Sequence, residues 1–159
     1  MIETANANDD IQYVIDAHRR IYDSEFHYDV EFIDFIVEAI TNFSNNRNQG
    51  EDNVWLLKIN SQSKGSIVVM KYEESVAQLR WFLIEAEARG LGYGKPMLHN
   101  AIQFCKERGY KSVFLWTNNS LLAARALYKS AGFEIIKSRT RILSNQELTE
   151  EKWELILNP

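Results

Sequence analysis

Among its 159 residues the chain has one cysteine, two prolines, no excess of positive charge and no apolar run approaching the roughly 18 residues that a membrane-spanning helix needs. The single cysteine, Cys105, excludes an intramolecular disulfide and a multi-cysteine metal site. His18, His27 and His99 stand far apart without ligand spacing, so no metal is expected. The net charge of −4 provides no basic footprint for nucleic acid. Two helix-like runs near the N-terminus invite comparison with a helix-turn-helix, but their connection, His27-Tyr-Asp29, sits among Asp23, Glu25, Glu31 and Asp34, which would repel a phosphate backbone. Without a spanning segment no membrane partner is expected. The first residues also lack the basic and apolar layout of a signal peptide, and the expected location is the cytoplasm.

What is present is an ordinary globular composition, 45% hydrophobic and 25% charged, enough for one domain over residues 1–159 with a full core. Ile2 to Ala5 reads as a short edge strand. Asn8 or Asp9 is placed to cap a helix whose inward stripe is Ile11, Val14, Ile15, His18, Ile21 and Tyr22. Asp29 caps a second helix with Phe32, Ile33, Ile36, Ala39, Ile40 and Phe43 inward, ended by the polar run Ser44 to Gly50. Val54–Ile59 and Ser66–Tyr72 read as strands joined by a loop from Asn60 to Gly65, and a turn at Glu73-Glu-Ser75 leads into a third. Strands at Gln78–Ile84 and Ser112–Thr117, linked by a helix, are expected to be parallel neighbours. A helix from Leu121 to Ser130 ends at Gly132, a left-handed cap, and strands near Phe133–Arg139 and Trp153–Leu157 close the sheet. Cys105 falls on the inward stripe of its helix, and Trp81 and Trp116 read as packing residues.

The richest stretch is Gln78-Leu-Arg-Trp-Phe-Leu-Ile84 followed, four residues on, by Arg89-Gly-Leu-Gly-Tyr-Gly-Lys95. Alternate glycines let the backbone turn tightly and present successive N–H groups at a helix start, where orphan amides and the macrodipole favour an anion such as a diphosphate. A Walker loop does not fit, because Gly90 to Gly94 is one residue short and Pro96 stands where the magnesium-binding hydroxyl belongs. The dinucleotide fingerprint also fails, since its third glycine arrives one residue early. The remaining pattern is R-x-x-G-x-G after a strand, with Ala123-Ala-Arg-Ala-Leu-Tyr128-Lys-Ser-Ala-Gly-Phe133 further on.

These two motifs resemble those of the GNAT (GCN5-related) N-acetyltransferases over nearly the whole chain. Leu79-Arg-Trp-Phe-Leu83, Phe114-Leu-Trp-Thr117 and His18-Arg-Arg-Ile-Tyr-Asp-Ser-Glu25 are most similar to the acetyltransferase domain fused to MarR-type regulators. The resemblance implies an α/β (α+β) fold: a mixed, mostly antiparallel sheet of about seven strands, its central parallel pair splayed at a bulge near Phe82–Ile84, flanked by about four helices. It implies acetyl-CoA as cofactor, with Arg89, Gly90, Leu91, Gly92, Tyr93, Gly94 and Lys95 around the diphosphate. The pantetheine arm would lie along Phe82, Leu83 and Ile84, an amide at Phe82 or Ile84 polarising the thioester carbonyl. Tyr128 matches the tyrosine that protonates the departing thiolate. Asn119 stands in for a cofactor-contacting asparagine whose position is Leu121 here. The implied partner is a small-molecule amine, and a homodimer is compatible with this class.

Departures from the pattern are as informative. Where the family places a general base on the strand, this chain has Gln78 and Arg80, and neither accepts a proton at neutral pH. Glu25, Glu73, Glu74 and Glu85 are the candidate substitutes, and Tyr22 and Glu25 join Gln78 and Arg80 as candidate acceptor contacts. Regular alternation would put Gln78, Arg80, Phe82 and Ile84 on one face, making Arg80 a fixed cation suited to an acidic amine. Arg80 pairing with Glu25, Glu73 or Glu74 is the competing expectation. The second functional reading is a module of the same fold that holds an acyl-CoA without turnover.

Overall fold

Buried and half-buried residues alternate without interruption along Val76–Ile84, and the strand they form lies at the centre of the sheet. The structure, a computed structural model, describes residues 1–4, 8–47 and 50–157, residues 8 and 9 through their backbone alone. In chain order the elements are β1 (Ile2–Thr4), α1 (Asn8–Ser24), α2 (Val30–Asn45), β2 (Asn53–Ile59), β3 (Gln62–Glu73), β4 (Val76–Ile84), a single 3-10 turn (Ala86–Ala88), α3 (Gly94–Glu107), β5 (Ser112–Asn118), α4 (Leu122–Ser130), β6 (Glu134–Leu143) and β7 (Gln146–Ile156). The seven strands run in the order β1-β2-β3-β4-β5-β7-β6, with β4–β5 parallel and the other pairs antiparallel. This is the expected mixed sheet, with α3 as the crossover between the parallel pair.

Period-2 alternation sends strand residues to two separate cores. Trp55, Leu57, Ile67, Val69, Ala77, Leu79, Val113 and Leu115 pack with Met97, Leu98, Ala101, Ile102 and Cys105 of α3 and with Tyr128 of α4. On the other face Val54, Leu56, Val68 and Trp81 pack with Ile11, Val14, Ile40 and Phe43 of α1 and α2. Asp29 caps α2 as expected, its Oδ1 accepting from the Phe32 amide at 2.8 Å. Gly132, at φ +100°, ends α4: its amide donates to the Lys129 carbonyl and that of Phe133 to Tyr128. That is a full Schellman motif.

The largest departure from the sequence reading lies within β4. Trp81 has φ +48°, and the pairing with β3 slips between Ser66–Leu83 and Val68–Arg80. This bulge inserts one residue and reverses the alternation beyond it. Phe82 and Ile84 therefore join Ala77 and Leu79 on the α3/α4 face, while Gln78 and Arg80 lie on the α1/α2 face. The expectation that all four share a face is corrected. Two contacts accommodate the irregularity: the buried Ser66 Oγ donates to the Trp81 carbonyl at 2.8 Å, and Gly65 lets the strands approach so closely that a Cβ would stand 2.7 Å from the Leu83 oxygen.

Smaller corrections follow from turn chemistry. The expected six-residue loop between β2 and β3 is a tight turn at Asn60 and Ser61, both left-handed, so the strands run longer than their apolar residues indicate. β6 and β7 likewise extend to a tip at Ser144 and Asn145, again both left-handed. β1 ends at Thr4. Ala5 and the cap at Asn8 or Asp9 fall outside the described residues and side chains.

α1 is fastened to the end of β4 by a buried carboxylate. Glu85 accepts from Tyr13 Oη at 2.6 Å and from both terminal nitrogens of Arg20 at 2.8 and 3.1 Å. Burial by itself would raise this carboxyl, but the hydrogen bonds from Arg20 and Tyr13 outweigh it and hold Glu85 below the usual carboxylate range. A depressed folded-state pKa adds stability that is present above the unfolded value, near ~4.3, and lost as pH falls through the lower folded one. Glu85→Gln is accordingly expected to cost about 2 kcal/mol at pH 7. In denaturant titrations across pH, the gap to the native protein should narrow below about pH 4; a gap independent of pH would contradict this role.

Candidate active site

Below the bulge the parallel pair comes apart. The ladder between β4 and β5 covers Val76–Ser112, Ala77–Val113 and Gln78–Phe114 and stops there, whereas β5 stays paired with β7 as far as Asn118–Glu150. Among the described residues, Leu79 to Ile84 thus have no strand partner on the β5 side, and a wedge opens between the two strands. The splay begins earlier than the Phe82–Ile84 bulge expected from the sequence.

At the wide end of the wedge lies the glycine-rich loop. Gly90 and Gly92 are left-handed, at φ +76° and +87°, and a Cβ on either would meet nothing within 4 Å. Tyr93 precedes α3 without a side-chain cap, and among the described residues the amides of Gly90 to Lys95 donate to no backbone carbonyl. Met97 is the first residue of α3 whose amide returns to the helix, to Tyr93. A run of open N–H donors around empty space at a helix start suits a group with several anionic oxygens, so the residues fit the diphosphate of coenzyme A. Leu91 and Lys95 are exposed beside it. Gly94, unlike the other two, is needed for packing: a Cβ there would press on Leu127 Cδ1 at 2.7 Å.

Tyr128 stands on the α3/α4 side of the wedge, its ring 6.4 Å from Phe82, 5.8 Å from Phe133 and 6.0 Å from Trp153. Its helix is tied down one turn earlier, where Arg125 donates to both oxygens of Glu151 at 2.8 and 3.0 Å and Trp153 Nε1 donates to the same carboxylate. Burial raises the Tyr128 phenol above its ordinary value, with the nearby Tyr22 as a smaller contributor. It therefore stays protonated at neutral pH, as a proton donor must. Asn119, the expected cofactor contact, is exposed just beyond β5, its amide donating to the Thr149 carbonyl at 2.9 Å.

Across the wedge, on the α1/α2 side, stands the candidate acceptor residue Tyr22. Burial pushes its phenol up to about 12, and it interacts electrostatically with Arg80 and with Tyr128. His18, Phe26 and Tyr28 surround it edge-on, at 5.4, 5.6 and 5.3 Å between rings. The sequence reading missed Phe26 and Tyr28, which stand between helices, where no periodicity marks them. Gln78 is half-buried on the same face. His18 donates from Nδ1 to the Val14 carbonyl at 2.7 Å, and burial lowers it to about 4, so it stays neutral and structural.

The guanidinium of Arg80 lies 4.5 Å from the centre of the Trp81 ring and 3.9 Å from Met70 Sδ. Among the described residues it has no carboxylate partner. Glu25 instead pairs with Arg89 at 2.6 Å, and Glu74 pairs with Lys71 at 3.4 Å. Burial lowers the Arg80 pKa, a cost that a bound anion would relieve. None of the four proposed substitute bases is well placed: Glu85 is locked by Arg20 and Tyr13, Glu25 is engaged by Arg89, and Glu73 and Glu74 are exposed at the β3–β4 turn. Arg89 itself also donates from Nε to the Ile84 carbonyl at 2.7 Å.

The family model for the acetyltransferase (GNAT) family matches residues 15–133, and the chain belongs to that family, whose acyl donor is acetyl-CoA. In sequence it is 33% identical over 85 residues to N-acetyltransferase family 8 member 3 of Rattus norvegicus, covering 50% of this chain and 37% of that protein. It is also 38% identical over 61 residues to human N-acetyltransferase 8B, covering 38% of this chain and 27% of that protein. The chain thus spans about a third of the length of these relatives. In fold it is similar to the ribosomal-protein-alanine N-acetyltransferase of Brucella melitensis (TM-score 0.79, 19% identity, 99% of each chain). A putative acetyltransferase of Salmonella typhimurium solved with acetyl-CoA is also similar (TM-score 0.77, 13% identity, 100% of this chain and 94% of that one).

Gly92→Val is expected to weaken coenzyme A binding by about tenfold or more, because a β-branched residue resists φ +87° and would re-aim the loop amides. With no neighbour within 4 Å to clash, the fold should survive. Titration calorimetry together with circular dichroism checks both; undiminished affinity in a folded variant would remove the cradle assignment.

Proposed function

We propose that residues 1–159 form one catalytic domain that moves an acetyl group from acetyl-CoA directly to the amine of a small acceptor carrying an acidic group. The observation behind this reading is the meeting, in one wedge, of an unpaired strand edge at Leu79–Ile84, a loop of open amides and a buried protonated tyrosine. Acetyl-CoA supplies the activated thioester. The amides of Gly90 to Lys95 hold the diphosphate, and the free edge at Phe82, Leu83 and Ile84 accepts the pantetheine arm as a substitute strand. An amide at Phe82 or Ile84 acts as a one-donor oxyanion hole, worth about 3 kcal/mol at the transition state.

The acceptor nitrogen attacks the carbonyl carbon; the new C–N bond forms as the C–S bond breaks, and Tyr128 gives its phenolic proton to the departing sulfur. The nitrogen's own proton leaves to water. Arg80 supports that loss, since a neighbouring cation lowers an ammonium pKa, and it pairs with the acceptor's carboxylate or phosphate. A cation with no carboxylate partner among the described residues disfavours polyamines and basic peptides. Gln78 and Tyr22 complete the acceptor side, and Asn119 remains a candidate contact for the cofactor. The likeness to the domain fused to MarR-type regulators rests on the β4, β5 and α1 motifs alone.

A second reading, a non-catalytic acyl-CoA-binding module, is favoured by the absence of a strand base at Gln78 and Arg80. Thiol release over a panel of amines, read against coenzyme A binding, separates the two. Tyr128→Phe should lower turnover by about ten- to a thousandfold with the cofactor Kd little changed; full turnover would reduce Tyr128 to a packing residue. In the same panel the native protein should prefer acidic amines, and Arg80→Gln should erase that preference. If the best acceptors are polyamines, or the preference survives the substitution, the anion clamp is wrong.

A further inference from the structure

The segment Glu25 to Asp29, between α1 and α2, is moored on two sides. Towards the hairpin tip, the Asp29 amide donates to Ser144 Oγ, and Gln146 Nε2 donates to the carbonyls of Phe26 and His27 at 2.9 and 3.3 Å. Towards the glycine loop, the mooring is one ion pair, Arg89 NH1 to Glu25 Oε1 at 2.6 Å, with side chains 44% and 32% exposed. Arg89 is held in that direction by its bond from Nε to Ile84, and it directly precedes the left-handed Gly90 that opens the loop.

We infer that Arg89 is shared, and that a diphosphate entering the Gly90–Lys95 loop takes its guanidinium from Glu25, freeing one mooring of the acceptor-side segment. This rests on the reading of that loop as a diphosphate cradle. A diphosphate offers more charge and more acceptor oxygens than one carboxylate, and Arg matches such groups in bidentate fashion. Filling the cradle then loosens the segment that carries Phe26 and Tyr28 beside Tyr22. Glu25 engages Arg89 in the absence of cofactor and so opposes cofactor binding by the strength of an exposed pair.

The test is calorimetric titration of coenzyme A into the native protein, Glu25→Gln and Asp23→Asn at low ionic strength. Asp23→Asn removes the same charge nearby without touching the pair. Glu25→Gln is expected to bind about two- to fivefold more tightly, the range for release of an exposed ion pair, with Asp23→Asn unchanged. Saturation with coenzyme A should also speed amide hydrogen exchange over residues 25–29 of the native protein. Equal affinity in all three proteins, weaker binding by Glu25→Gln, or equal tightening by both variants overturns the exchange at Arg89, as does unchanged or slower hydrogen exchange. Absence of coenzyme A binding in all three overturns the cradle reading itself and the exchange with it.

Discussion

The left-handed residue at Trp81 is the constraint on which the site depends. One extra residue in β4 bends the strand, and the ladder to β5 ends three pairs after it starts. Without the bend β4 would continue along β5, every amide would be paired within the sheet, and the wedge would not exist. The cost of a tryptophan at φ +48° is offset locally by burial of its ring against Phe43 and by the Ser66 hydroxyl that satisfies its carbonyl. The same irregularity divides the candidate site residues between faces. Phe82 and Ile84 turn towards Tyr128, while Gln78 and Arg80 turn towards Tyr22.

Around the wedge, charged groups divide into those engaged within the protein and those left open. Glu85 with Tyr13 and Arg20, and Glu151 with Arg125 and Trp153, are closed clusters in which each carboxylate meets several donors. They fix α1 and α4 against the sheet and so set the separation of Tyr22 and Tyr128. Arg80 differs, being half-buried beside an indole and a thioether with no acid facing it among the described residues. Burying a cation without an anion is unfavourable unless a ligand supplies one. That asymmetry sets Arg80 apart from the closed clusters around Glu85 and Glu151.

Much of the fold was readable from local rules. The α1 and α2 stripes, the Asp29 cap, the Gly132 terminus and the parallel pair around α3 all follow from periodicity, capping chemistry and crossover geometry over short spans. Errors came where a polar residue carried the backbone information. Asn60-Ser61 and Ser144-Asn145 adopt left-handed turns that their letters allow without requiring, and the polar residues of β6 and β7 hid two long strands. The bulge at Trp81 was placed too late because tryptophan gives no local sign of a positive φ.

By itself, the sequence determined the order of elements, the glycine loop at the start of α3, the position of Tyr128 and the absence of a strand base, because each is a property of residue type and short-range spacing. The partnerships were decided only in three dimensions. Glu85 had the same standing in the sequence as Glu25, Glu73 and Glu74, yet Tyr13 and Arg20 lock it from 72 and 65 residues away. Arg80 had three candidate acids and pairs with none of them, since Arg89 engages Glu25 and Lys71 engages Glu74. Ion pairs and facing side chains depend on where the chain folds back, and a single inserted residue in one strand is enough to exchange them.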